Sequence, residues 1–325
     1  MNRLGAFGLV LALNLGLPGL CDAGPLRART PVPVMSQEEG AIEFQGRQRS
    51  YRLFAPAGAP KLRRLPLVVV LHGGGGSPAS IEKVSLGRLN ELAEQQGWLV
   101  VYPAALKLPG AGRHWNDGRD FQPQRKSVDD VGFLVALIDH LASTKNADPK
   151  HVFMTGMSNG AIMSFRFACE QPGRVAAIAP VAGALAENLA RQCATGGAVP
   201  VLVINGESDP FMPWNGGYVH SGRKKMGRVI SGPDTARLWA TRDGCTGPRV
   251  RRWPDRVPSD GTTVRQESYE CPDRQEVELY AIEGGGHAWP GGRGDVLSGF
   301  IGRTSQELNA SDDMWEFFNF HASND

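Results

Sequence analysis

Three residues stand where acyl-transfer chemistry would need them: Ser158, Asp209 and His287. Ser158 is the centre of Gly156-Met157-Ser158-Asn159-Gly160, a G-x-S-x-G pentapeptide. The apolar run Val152 to Met154 precedes it, and Ile162, Phe165 and Cys169 follow at three- and four-residue steps, one face of a helix. Strand, sharp turn and helix in that order make a nucleophile elbow, which lifts a serine hydroxyl clear of the backbone. A Cβ at Gly156 or Gly160 would collide with the neighbouring strand and helix, so glycine is expected at both. The Asn159 N–H then opens the helix and faces incoming negative charge.

A serine hydroxyl attacks poorly at neutral pH unless a base takes its proton and an acid orients that base. In an elbow-type hydrolase these follow in the order serine, acid, histidine. Only His220, His287 and His321 come after Ser158. His287 lies in Glu283-Gly-Gly-Gly-His-Ala-Trp-Pro-Gly-Gly, directly after an apolar strand, and is the expected base; His220 and His321 are expected on the surface. Asp209 follows the apolar run Val201-Leu-Val-Ile-Asn-Gly at the carboxyl edge of the sheet, where open α/β folds bind ligands. Asp234 is expected instead to support a helix start. For an oxyanion, the Asn159 N–H is one donor. The second is expected from Gly74 or Gly73, in the run His72 to Gly76. A phosphate-binding loop would need Lys-Ser/Thr after its glycines, and none is there.

Positioning these groups requires strands that end together. Leu65 to Leu71 is a continuous apolar run, the mark of a strand buried on both faces. Similar runs are 98–102, 176–181, 199–205 and 276–282, separated by helices expected at 80–96, after Ser127-Val-Asp-Asp130 (a capping box), at 159–170 and at 233–242. Strands alternating with helices at this spacing predict an α/β fold with a mostly parallel, doubly wound sheet. Residues 41–45 and 48–54 alternate around Gln45-Gly46 as a hairpin. The stretch 244–275 is expected to be an irregular excursion.

The chain carries 325 residues and a net charge of +2, which gives no ground for a nucleic-acid partner. The short run Arg223-Lys-Lys is expected to be solvated. Residues 1–23 start positive, continue apolar from Leu4 to Leu20 and end in Cys-Asp-Ala, the pattern of a secretory signal peptide. A lipid anchor on Cys21 is disfavoured by the bulky Leu20 before it. No other stretch is apolar enough to span a bilayer, so a secreted protein without a membrane partner is expected. Residues 24–38 are expected to be loose, and 39–325 to form a single catalytic domain. The remaining Cys169, Cys193, Cys245 and Cys271 suggest disulfides in an exported chain, and no pair has zinc-site spacing. Pairing within short loops, Cys169 to Cys193 and Cys245 to Cys271, is expected over crossed pairs.

The segments LHGGGGS, HWNDG, VDDVGF, TGMSNGA, NGESDP and EGGGHAWPGG, in this order, resemble the secreted polyhydroxybutyrate depolymerase and feruloyl/acetylxylan esterase family. The resemblance spans about residues 40–322. It implies an α/β-hydrolase fold working without metal or cofactor, with Ser158, Asp209 and His287 as nucleophile, acid and base. It also implies that Trp115 lines the substrate cleft; Trp214 and Trp289 are expected near the strand ends beside it. Depolymerases of solid polymer often carry a separate binding domain. With 311–321 read as a final helix, the expected substrates are soluble short-chain hydroxyalkanoate esters and oligomers, with feruloyl or acetylated polysaccharide as the alternative.

Overall fold

Alternate side chains of the most apolar strands enter two different cores. In the computed structural model, Leu67, Val69 and Leu71 join one cluster and Val68 and Val70 the other, and Val201 and Val203 alternate with Leu202 and Ile204 in the same way. A strand with helices on both faces must be apolar at every position, which is why these runs show no period of two. Residues 36–57, 63–109, 112–121, 126–293 and 298–323 are described. The expected signal peptide lies outside them.

The chain begins with β1 (Ser36–Phe44), β2 (Arg47–Ala55), β3 (Leu65–Leu71), α1 (Pro78–Val84), α2 (Arg88–Gln96) and β4 (Leu99–Pro103). The short strands β5 (Lys107–Leu108) and β6 (Gly112–Arg113) precede α3 (Asp130–Thr144), β7 (Ala147–Met157), α4 (Asn159–Glu170) and β8 (Ala177–Val181). Then come α5 (Ala190–Cys193), β9 (Val201–Gly206), β10 (Gly217–Ser221), β11 (Lys224–Val229) and α6 (Gly232–Arg242). The chain closes with β12 (Thr246–Arg252), β13 (Thr263–Glu270), β14 (Val277–Glu283), α7 (Ser298–Ile301) and α8 (Ala310–Ala322).

Ten of the strands form one sheet in the order β1-β2-β4-β3-β7-β8-β9-β14-β13-β12. The six from β4 to β14 are parallel, and the two at each edge are antiparallel. Helices α3, α4 and α6 supply Leu134, Phe165 and Trp239 to one core; α1, α2 and α8 supply Ile81, Leu89 and Trp315 to the other. Successive strands step outward in one direction from β3 to β4 and in the other from β7 onward. The carboxyl ends of β3 and β7 therefore flank the switch point, where such sheets leave a crevice.

Four local expectations need correction. The first strand starts at Ser36, inside the stretch expected to be loose, because β1 pairs with β2 along its whole length from Ser36 opposite Ala55. The single helix expected at 80–96 is two. Ser77 caps α1 with a reciprocal Ser77–Ser80 capping box, and left-handed Leu86 (φ 55°) and Gly87 (φ 72°) turn the chain before α2. Asp129, not Ser127, caps α3, its carboxylate accepting from the Gly132 N–H. The stretch 244–275 is regular: β13 pairs with β14, and β12 forms a fully exposed edge strand carrying Arg249, Arg251 and Arg252. Charge along an edge strand discourages pairing with another chain, and it also hides the strand from a search for apolar alternation. The Arg223-Lys-Lys run is exposed as expected, at the turn and start of the β10–β11 hairpin.

Candidate active site

Ser158 sits between β7 and α4 at φ 57°, ψ −118°, a conformation that costs a non-glycine residue about 1–3 kcal/mol. The surrounding backbone holds it there. The Ser158 N–H donates to Val181 O at 3.0 Å, on the adjacent β8. A Cβ on Gly156 would lie 2.7 Å from Leu71 O and from the Gly160 backbone, and one on Gly160 only 2.2 Å from Leu71 O. Both flanking glycines are thus required by the approach of β3 and α4, as the pentapeptide leads one to expect.

Asp209 and His287 follow β9 and β14, which are neighbouring parallel strands and so release their loops at the same sheet edge. Gly206 lets the two loops touch, since a Cβ there would be 2.4 Å from Gly285 O. His287 Nδ1 and Asp209 Oδ2 are 2.6 Å apart. A carboxylate only accepts, so Nδ1 carries the proton, leaving Nε2 of the neutral ring as an acceptor. The other carboxylate oxygen accepts from the Phe211 and Met212 N–H groups at 2.7 and 2.8 Å, which fixes the acid from behind. The Phe211 ring packs edge-on to the imidazole, and the His287 N–H donates to Ile301 O.

The loop after β3 is tied down by its own histidine. The Ala105 N–H donates to His72 Nε2 at 3.1 Å, so Nδ1 is the protonated nitrogen and donates to Gly73 O at 2.7 Å. Gly75 and Gly76 direct their N–H groups to Arg113 O and Gly73 O. Gly73 runs beside the elbow, an added Cβ standing 3.6 Å from Ser158 Cβ, and Gly74 lies under the His114 ring. Glycines 73, 74 and 76, Ser158 and His287 line one cavity of about 220 Å³, which adjoins a second of about 390 Å³ through their shared Ser80, Val84, Met157 and His287.

Residues 49–213 match the family described as Esterase PHB depolymerase. The chain is also 32% identical to "Putative esterase NocK" of Nocardia uniformis subsp. tsuyamanensis over 298 residues, 89% of this chain and 84% of that one. It belongs to the Esterase PHB depolymerase family. Feruloyl esterase B of Piromyces equi is 29% identical over 72% of this chain, which spans less than half (41%) of that protein. Among solved structures, the acetyl xylan esterase of Aspergillus awamori superposes with a TM-score of 0.59 at 17% identity, covering 88% of this chain and 99% of that one. That likeness establishes the α/β-hydrolase fold.

The three tryptophans expected near the cleft of this esterase, Trp115, Trp214 and Trp289, do not share one role. Trp115, expected in the cleft, is fully buried; its indole N–H donates to His72 O and its backbone N–H to Asn159 Oδ1. HWNDG is a platform beneath the elbow. Asn159 Nδ2 donates to Asp117 Oδ2 at 2.6 Å, and Asp117 is in turn ion-paired with Arg119 at 2.6 Å, all buried. A second buried pair, Arg49–Asp130 at 2.6 Å, holds the same stretch through Asn116, whose N–H donates to Asp130. Sequence reasoning missed both, although HWNDG and VDDVGF contain their carboxylates. Trp214 packs by Gly232 behind Asp209, closing a crevice with no room for water. Trp289 does line the larger cavity, with its N–H donating to Ser311 Oγ.

His220 is exposed, but His321 is not the surface residue expected. It is packed against Phe317 and Phe320 at the end of α8, where burial lowers its pKa to about 4. Asp234 supports the start of α6, which Ser231 caps. The disulfides join Cys169 to Cys193 and Cys245 to Cys271, within short loops. Among the described residues no helix is long and apolar enough to cross a membrane.

Proposed function

We propose that the chain is a secreted serine carboxylic-ester hydrolase working through an acyl-enzyme, with Ser158 as nucleophile, His287 as base and Asp209 as its orienting acid. The observation that carries this is the 2.6 Å Asp209–His287 contact beside a cavity that the imidazole shares with the strained Ser158. His287 Nε2 takes the Ser158 proton as Oγ attacks the ester carbonyl, then returns it to the departing alcohol oxygen. The oxyanion is held by the Asn159 N–H and by that of Gly73 or Gly74, whose loop neighbours are already engaged. Water then repeats the sequence on the acyl-enzyme, so neither metal nor cofactor has a step to perform.

The substrates are short hydroxyalkanoate esters and oligomers, a reading supported by the family match. Feruloyl or acetylated polysaccharide is the second reading, favoured by the name of the Piromyces relative. Residues 1–23 act as the export signal, with 39–325 as one catalytic domain, and two disulfides suit an oxidising destination. A serine-directed phosphonate should label the protein once, on the peptide containing Ser158, and Ser158→Ala should abolish both labelling and turnover. Labelling that persisted in that variant would overturn the assignment.

A further inference from the structure

The larger cavity touches His287 and not Ser158, so the part of the substrate it takes lies beside the general acid: the leaving group. Its volume, about 390 Å³, is within the usual range for a small-molecule site. Met157, Trp289 and Ile301 give it an apolar wall, Lys83 and Arg293 stand at its rim, and among the described residues no carboxylate lines it. Many of the chain's cations meet an acid, Arg52, Arg88, Arg119, Arg166 and Arg265 among them, and solvated ones such as Arg223 and Lys224 on the β10–β11 hairpin do not. Among the described residues neither Lys83 nor Arg293 does. A lysine in the last turn of α1 also complements the helix carbonyls, but that role requires no arginine on the same cavity.

We propose that Lys83 and Arg293 bind the free carboxylate of a hydroxy-acid leaving group, so that the esterase removes the acid-bearing terminal unit of a short oligoester. The inference rests on the catalytic assignment above. Ser158 Oγ bonds to the carbonyl carbon and the ester C–O bond breaks. The departing hydroxyl oxygen receives the proton from His287, and the terminal unit leaves as a free hydroxy acid. Its carboxylate, one short chain away from that oxygen, reaches the two cations across the apolar wall. Exposed charges attract over about 10 Å at moderate salt, so the preference is electrostatic and screened.

The test compares the linear dimer of 3-hydroxybutyrate with its methyl ester, in the parent and in Lys83→Met, Arg293→Met and the double variant. The parent is expected to favour the free acid in kcat/KM by about tenfold, an advantage that shrinks as salt rises. The double variant should lower kcat/KM for the acid about tenfold more than for the methyl ester, mainly through KM, and Arg293→Glu should reverse the preference. Equal rates on both substrates in the parent, or equal losses on both in the variants, would overturn the carboxylate site and leave the esterase reading intact. A parent that hydrolysed neither dimer nor any activated short-chain ester would overturn both.

Discussion

Two sets of buried carboxylates flank the Ser158 turn, and they are held in opposite ways. On one side Asp117 and Asp130 are each locked to an arginine, and both reach the elbow through backbone and amide groups of Trp115, Asn116 and Asn159. Arginine stays charged at any ordinary pH, so these pairs form a permanent scaffold. On the other side Asp209, equally buried, faces an imidazole that opens onto the cavity. An imidazole has one nitrogen for the carboxylate and a second that can accept a proton, which is the part this pair takes in the proposed mechanism. The carboxylate is the same group in both places. Its partner, and whether that partner meets the cavity, separates support from chemistry.

The largest effect is expected at Asp209. Asp209→Asn should cost on the order of 10⁴ in kcat, because the amide favours the wrong imidazole tautomer, while urea melts stay close to the parent. Activity within a few-fold of the parent would make another carboxylate the acid.

Asp117→Ala should do the reverse. It leaves the Arg119 guanidinium buried without its partner, a loss of about 3–5 kcal/mol of stability in denaturant titrations. In the folded fraction kcat should fall by only about tenfold, through a looser Asn159 and a misplaced oxyanion donor. A 10⁴ fall in kcat with unchanged stability would move Asp117 into the chemistry.

Asp313 sharpens the contrast with the smallest effect. It sits in the first turn of α8 with no ion-pair partner among the described residues, and burial, aided by Glu316 and Asp312, pushes its carboxyl up to about 7. An unfolded aspartate titrates near pH 3.9, so from about pH 4 to 7 the unfolded chain gives up a proton that the folded chain keeps. The site therefore costs nothing below about pH 4, and its penalty grows as pH rises toward 7. Asp313→Asn should raise Tm by roughly a few degrees at pH 8 and leave it unchanged at pH 4. A gain at pH 4 as large as that at pH 8 would assign the effect to something other than ionisation.

Legibility followed locality. The elbow could be read because a sharp turn between strand and helix demands glycine at fixed offsets, and Gly156 and Gly160 meet that demand against Leu71 O and each other. The hairpin was equally plain: Gln45 and Gly46 both take positive φ, the geometry of a two-residue turn joining β1 and β2. The break at Leu86–Gly87 was not, because leucine in a left-handed conformation (φ 55°) has no composition signal and continues the apolar pattern of a longer helix. The register of β12 against β13 was hidden for a similar reason. An edge strand with every side chain in water leaves no periodic trace.

Which strands are buried on both faces, that they run parallel, and the order of Ser158, Asp209 and His287 along them were all legible in the chain. Each of these follows from apolar runs, glycines and spacing along one stretch of chain. Partners came from the fold. It brought β9 beside β14, so that loops 78 residues apart meet in the Asp209–His287 contact. It also buried Trp115 beneath the elbow, and matched Asp117 to Arg119 and Asp130 to Arg49. A carboxylate is drawn the same way in a sequence whether it faces an arginine, an imidazole or a hydrocarbon wall. The neighbours that set its work come from distant strands, placed by the sheet.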